Sequence, residues 1–132
     1  MPTEIDLLKI GRISSTISII ISLIFIYSTN ESLQIEYARA KDETPPVFKP
    51  TPAQISTVAF FMAIFTNMIN YKISVARYEQ IREKQEQGDT TINISPNIKF
   101  ILATGLALTG AALAYIAAKE KLESDVQIII AR

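Results

Sequence analysis

The chain has 132 residues with 13 basic and 13 acidic side chains, so no net field draws it toward nucleic acid, and nucleic acid is not an expected partner. It contains neither cysteine nor histidine, which excludes disulfides, thiol catalysis, soft-metal ligation and the commonest physiological general base. Hydrophobic residues make up 48% of it, and they collect in three blocks while the segments between hold almost every charge, a division expected of lipid-spanning helices rather than of a soluble bundle.

The first block runs from Gly11 to Ser28. After Arg12 it holds about 15 uncharged residues, close to the lower limit for a spanning helix. Arg12 can snorkel toward head groups, Tyr27 suits an interface, and Ser28, Thr29 and Asn30 complete the crossing. Its isoleucines favour a strand in water, but an isolated strand in hydrocarbon leaves its backbone polar groups unpaired, so a helix is expected. Lys9 and Arg12 before an apolar stretch imitate a secretory signal, with Ala38-Arg39-Ala40 as its cleavage site. About ten polar or charged residues separate Tyr27 from Ala40, too many for a cleavage region, and an uncleaved helix is the reading adopted. Gly11, Ser15, Ser18 and Ser22 follow one another at steps of four, three and four, which forms a stripe of small residues and a candidate packing seam.

Between Glu31 and Glu43, Leu33, Tyr37 and Ala40 recur at helical spacing among charges of both signs, so the helix is expected to continue past the membrane with a solvated face. A proline-rich connector, residues 44–52, follows; it lacks most of the amide donors a helix needs. Thr51 is the expected cap, and Pro52 the expected first residue, of the next helix.

The second block, Ala53–Val75, carries no charge before Lys72. Neither proline nor glycine interrupts the chain from there to Gln87, so residues 76–87 should project as a charged helical stalk ended by Gly88. Ser56, Ala59, Ala63, Thr66, Asn70 and Ser74 form a small and polar stripe bordered by Asn67, while Phe60, Phe61, Phe65 and Met68 lie largely elsewhere on the circumference. A primary amide in hydrocarbon is costly without a partner, so Asn67 and Asn70 should face another helix. Asn67-Met68-Ile69-Asn70 resembles the start of the second-helix signature of the small bacterial diacylglycerol kinases. That family places acidic residues where this chain has Asn67 and Ser74, so the resemblance implies no kinase activity.

The third block, Ile98–Ala118, follows a Ser95-Pro96 start and is crowded with small residues. Gly105, Gly110 and Ala114 stand out, and Ala107 with Ala111 and Gly110 with Ala114 fit the small-x-x-x-small pattern. Such a helix is expected at the centre of a bundle, or between its own bundle and a neighbouring subunit. The tail Val126–Ile130 is too short to span, and either docks on the protein or lies at the interface.

The expected fold is therefore all-α and integral to the membrane, one domain of three transmembrane helices with extensions beyond the bilayer. If the N-terminus is cytoplasmic, Lys9, Arg12, Lys72, Arg77, Arg82, Lys84 and Lys99 lie inside, against Arg39, Lys41, Lys49, Lys119, Lys121 and Arg132 outside. The residues nearest the membrane favour that orientation. No acidic residue falls within an expected span, which lowers the rank of proton relays and ion-coupled transport. No catalytic, cofactor or metal signature is present, so the expected function is non-enzymatic and acts through helix packing, with the bilayer and either a second copy or another membrane protein as partners. A small oligomeric, holin-like pore is the first alternative, and a lipid-modifying enzyme the second.

Overall fold

A computed structural model describes residues 2–131, with side chains to Asp125, and consists of three long α-helices. They are α1 (Glu4–Ala40), α2 (Pro52–Glu86) and α3 (Ser95–Ala131). Each is long and apolar enough to cross a membrane. At 1.5 Å per residue, the 35 to 37 residues of each helix reach about 50–55 Å, well beyond a hydrocarbon core of about 30 Å. All three therefore carry polar turns outside it.

Local chemistry sets the ends. Thr3 caps α1 in a reciprocal box: its hydroxyl accepts from the Asp6 amide at 3.2 Å, and the Asp6 carboxylate accepts from the Thr3 amide at 3.0 Å. The Thr3 amide and, at 2.8 Å, the Thr3 hydroxyl both donate to that carboxylate and hold the Asp6 carboxyl below its ordinary 3.8. α1 stops before the prolines are reached. Asp42 takes a left-handed φ of 52°, the Asp42 amide donates to Arg39 O and the Glu43 amide to Ala38 O, so the terminal carbonyls are satisfied by a Schellman closure. At α2, Thr51 and Gln54 build a second capping box with Pro52 in the first turn. Gly88, at φ 99°, closes the far end in the same way as Asp42 closes α1. The start of α3 falls one residue earlier than the Ser95-Pro96 pair implies. Ile94 O accepts from the Ile98 amide, while the Asn93 side chain takes the Ser95 amide at 3.0 Å. Asn93, not Ser95, supplies the capping oxygen, because a side chain two residues upstream reaches that amide as an Asx turn. The Val126–Ile130 tail continues the backbone of α3; its side chains lie outside the described residues.

α2 is the centre of the bundle. α1 and α3 each pack along it, and among the described residues their backbones do not meet. Chain order explains this better than composition does. Short connectors at 41–51 and 87–94 make consecutive helices antiparallel neighbours, so the middle helix has two partners and α3, despite its small residues, lies at an edge.

The molecule is inverted relative to a soluble protein. Its accessible surface is 9421 Å², against about 6,900 Å² for a compact soluble chain of the same mass. Ile13, Ile19, Leu23, Ile26, Leu102, Leu106 and Leu113 are all exposed, whereas the most buried side chains include Ser14, Ser28, Glu31 and Thr66. Water would penalise such an outer surface, and acyl chains match it.

Candidate functional site

The interior feature with distinctive chemistry is the polar seam between α1 and α2. On α1 the buried positions Leu7, Ser14, Ile21 and Ser28 are seven residues apart, with the half-buried Gly11, Ile17 and Ile24 filling the intervening turns. That 3.5-residue average is the spacing of a left-handed supercoiled contact. The facing positions on α2 are Ala59, Thr66 and Ser74. Ala59 is fully buried, which fits close backbone approach at the middle of the seam.

Hydroxyls fasten the seam at two levels. Ser14, 1% exposed, donates to Asn70 Oδ1 at 3.0 Å and has the Thr66 carbonyl oxygen 3.4 Å away. About three helical turns further along α1, Phe25 and Phe60 meet edge to face with centroids 4.8 Å apart. Beyond them Ser28 donates to Pro52 O at 2.8 Å, and with that hydrogen committed, the Ser56 hydroxyl donates to Ser28 Oγ at 2.6 Å. The Ser28 bond lands on the first turn of α2 and ties the two helices where the connector re-enters the bundle. Outside the bilayer at the other end, Arg77 pairs with Glu4 at 2.8 Å and Gln80 donates to Pro2 O at 2.6 Å.

The small-residue stripe read from the sequence falls partly beside this seam. Gly11 is half-buried, and a Cβ added there would lie 3.8 Å from Ile73. Ser18 is partly buried, while Ser15 and Ser22 are exposed. Ser18 and Ser22 return their hydroxyls to the carbonyls of Ser14 and Ser18, and so need neither water nor a neighbour. On α2, Ser56 and Asn70 join the seam, and Ala63 O accepts from both Thr66 Oγ and Asn67 Nδ2. Asn67 thus satisfies its amide within its own helix, at 2.7 Å, and makes no bond to α1 or α3 among the described residues.

Glu31 departs from the sequence reading. The run 31–43 is expected to be a solvated face, but Glu31 is only 6% exposed, and its Oε2 has no hydrogen-bond partner among the described residues. It occupies the next turn of the Leu7–Ser28 seam. From the far end of α1 the connector must return to Pro52, level with Ser28, and this path brings it down beside the last turns of α1. Ile35 and Ala38 on the helix and Pro45 and Phe48 on the connector are partly shielded accordingly. Glu31 was hidden from sequence reasoning by its charged neighbours; its place three residues after Ser28 is the signal that marks it.

α3 meets α2 through aromatic and small groups. Phe61 and Tyr115 lie 5.3 Å apart, and Gly105 accommodates the Tyr71 ring, which would stand 3.6 Å from an added Cβ. A second side is less covered. Ala103, Ala107, Gly110 and Ala117 are exposed, Ala114 is half-buried, and a Cβ on Gly110 would meet nothing within 4 Å. Exposed leucines 106 and 113 flank these small residues.

Chemically the seam can hold two helices together but offers no nucleophile paired with a base: its hydroxyls donate to carbonyls, an amide oxygen or one another. Comparison with protein-family models, curated proteins and solved structures finds no match to this chain.

Proposed function

We propose that this chain is a non-enzymatic, multi-pass membrane protein that acts through helix packing, using the outer face of α3 to associate with a second copy of itself or with another membrane protein. The observation that supports the reading is the contrast between the two sides of α3. One side packs Gly105 and Tyr115 against Tyr71 and Phe61 of α2. The other carries the exposed Ala103, Ala107 and Gly110, and a Cβ on Gly110 would meet nothing within 4 Å. A helix that faces only lipid gains from large aliphatic side chains, whereas small residues let another helix approach until dispersion contacts become effective.

The orientation that accompanies this reading puts the N-terminus in the cytoplasm. Lys9, Arg12, Lys72 and Lys99 gather near one end of the apolar segments without an ion pair among the described residues, while the other end mixes Glu31, Lys119, Glu120 and Lys121.

Native mass analysis in mild detergent tests the reading by comparing Gly110→Leu with the control Leu106→Ile. Assemblies above one chain that weaken with Gly110→Leu and survive Leu106→Ile support association through this face. A monomer in every case, with no co-purifying partner, refutes it.

A further inference from the structure

A cleft of about 460 Å³ lies among the three helices at the end of the bundle where their basic residues gather. Leu8, Gly11 and Ile73 line it with apolar surface, and Arg12, Ser15 and Asn70 are its polar groups with unused hydrogen-bonding capacity. Arg12 makes no ion pair, and Ser15 makes no hydrogen bond, among the described residues. The oxygen of the Asn70 side chain is taken by Ser14, which leaves its amide nitrogen to donate outward. Arg77 also borders the cleft and holds Glu4 at 2.8 Å, so the two guanidiniums and one carboxylate leave a net positive charge.

We propose that this cleft is a binding site for the phosphate of an anionic phospholipid. A guanidinium, a hydroxyl and an amide offer a convergent set of donors and no free acceptor carboxylate, the complement of a phosphodiester. The level of the site in the bundle selects a lipid over free phosphate. Arg12 immediately precedes the uncharged run of α1, and Lys72 immediately follows that of α2, so the donors stand where head groups meet hydrocarbon. The apolar wall made by Leu8, Gly11 and Ile73 would be poorly matched to a hydrated free anion and suits a glycerol backbone with the start of its acyl chains. Lys9, Lys72 and Lys99 add long-range attraction for the same charge without lining the cleft.

The full chain in mild detergent, titrated with phosphatidylglycerol or phosphatidylcholine and read by native mass spectrometry, tests the site. One phosphatidylglycerol should be retained in preference to phosphatidylcholine. Arg12→Gln should lower that retention about tenfold, the loss expected of one charge-assisted contact. Ser15→Leu, which fills the cleft at an exposed position without altering charge, should do the same, while Lys72→Gln should have a much smaller effect. Soluble glycerol phosphate at matched concentration should not displace the lipid. Equal losses with Arg12→Gln and Lys72→Gln would mean diffuse surface attraction and overturn the proposal. So would equal retention of phosphatidylcholine, unaffected retention in Ser15→Leu, or displacement by glycerol phosphate.

Discussion

Two adjacent serines on α1 should respond oppositely to one substitution. Ser14 is buried against α2, with Asn70 Oδ1 at 3.0 Å and the Thr66 backbone oxygen at 3.4 Å, whereas Ser15 next to it is exposed. Ser14→Leu replaces Oγ with a carbon and adds two more where a backbone carbonyl already stands at contact distance. The helices must separate or the side chain must leave its rotamer, which costs about 1–3 kcal/mol. Loss of the hydroxyl bond to Asn70 adds roughly 0.6 kcal/mol, the mean for interhelical hydrogen bonds in membranes. The sum is about 2–4 kcal/mol. Ser15→Leu meets no such obstacle and exchanges serine for a better helix former, so its effect should stay within about 0.5 kcal/mol. Reversible unfolding in mixed micelles with increasing dodecyl sulfate, followed by circular dichroism, measures both. Equal destabilisation by the two variants, or a neutral Ser14→Leu, would show that the α1–α2 contact does not run through Leu7, Ser14, Ile21 and Ser28.

The two asparagines of α2 should separate in the same assay. Asn70→Leu removes the acceptor of Ser14 and should cost about 0.6–1.7 kcal/mol, whereas Asn67→Leu breaks a bond within its own helix and should cost less; equal losses would contradict the hydrogen-bond assignment. Absence of cysteine permits a topology test: Ser32→Cys, near the far end of α1, and Gln87→Cys, at the end of α2, should be labelled by an impermeant thiol reagent from opposite sides of the membrane, and labelling of both from one side would refute three crossings. The cap of α1 should depend on pH. The Asp6 carboxyl titrates lower when folded than in the open chain, so its contribution is complete above the ordinary 3.8 and disappears as pH falls through the lower folded value. Nuclear magnetic resonance of the Thr3 and Asp6 amides in micelles should show the transition below 3.8, and Thr3→Ala, which keeps the backbone amide and loses the hydroxyl, should move the midpoint up only part of the way; a wild-type midpoint already at the ordinary value would exclude the box.

What could be read from the chain depended on whether one residue type or a choice among equals decided the matter. The spans follow from where charge is absent, because burying a charge in hydrocarbon is costly enough to dominate every other preference. The start of α2 was likewise legible, since threonine, proline and glutamine at positions 51, 52 and 54 act within one turn. The seam was harder. Serines at 14, 15, 18, 22 and 28 are chemically equal, and a stripe at steps of four and three through Ser15 reads as well as the seven-residue step through Ser14 until α2 is in place. The packing partner selected the second. Asn67 and Asn70 are equally ambiguous, because an amide in lipid can turn to its own helix or to the next one, and the choice depends on whether a hydroxyl such as that of Ser14 stands opposite. Glu31 shows the limit of composition: a carboxylate among charges is only 6% exposed because of tertiary packing that local pattern does not encode.

The proposed association requires α3 to offer its outer face to another helix. In native membranes the cysteine-free chain carrying Gly110→Cys, exposed to a mild oxidant, tests this against Leu23→Cys on the exposed side of α1. The Gly110→Cys protein should form a disulfide, either with a second copy as a band of twice the chain mass or with a cysteine-bearing partner identifiable by mass spectrometry, and the Leu23→Cys protein should remain uncross-linked. Cross-linking from Leu23→Cys with none from Gly110→Cys would place the contact on a different helix and contradict the account.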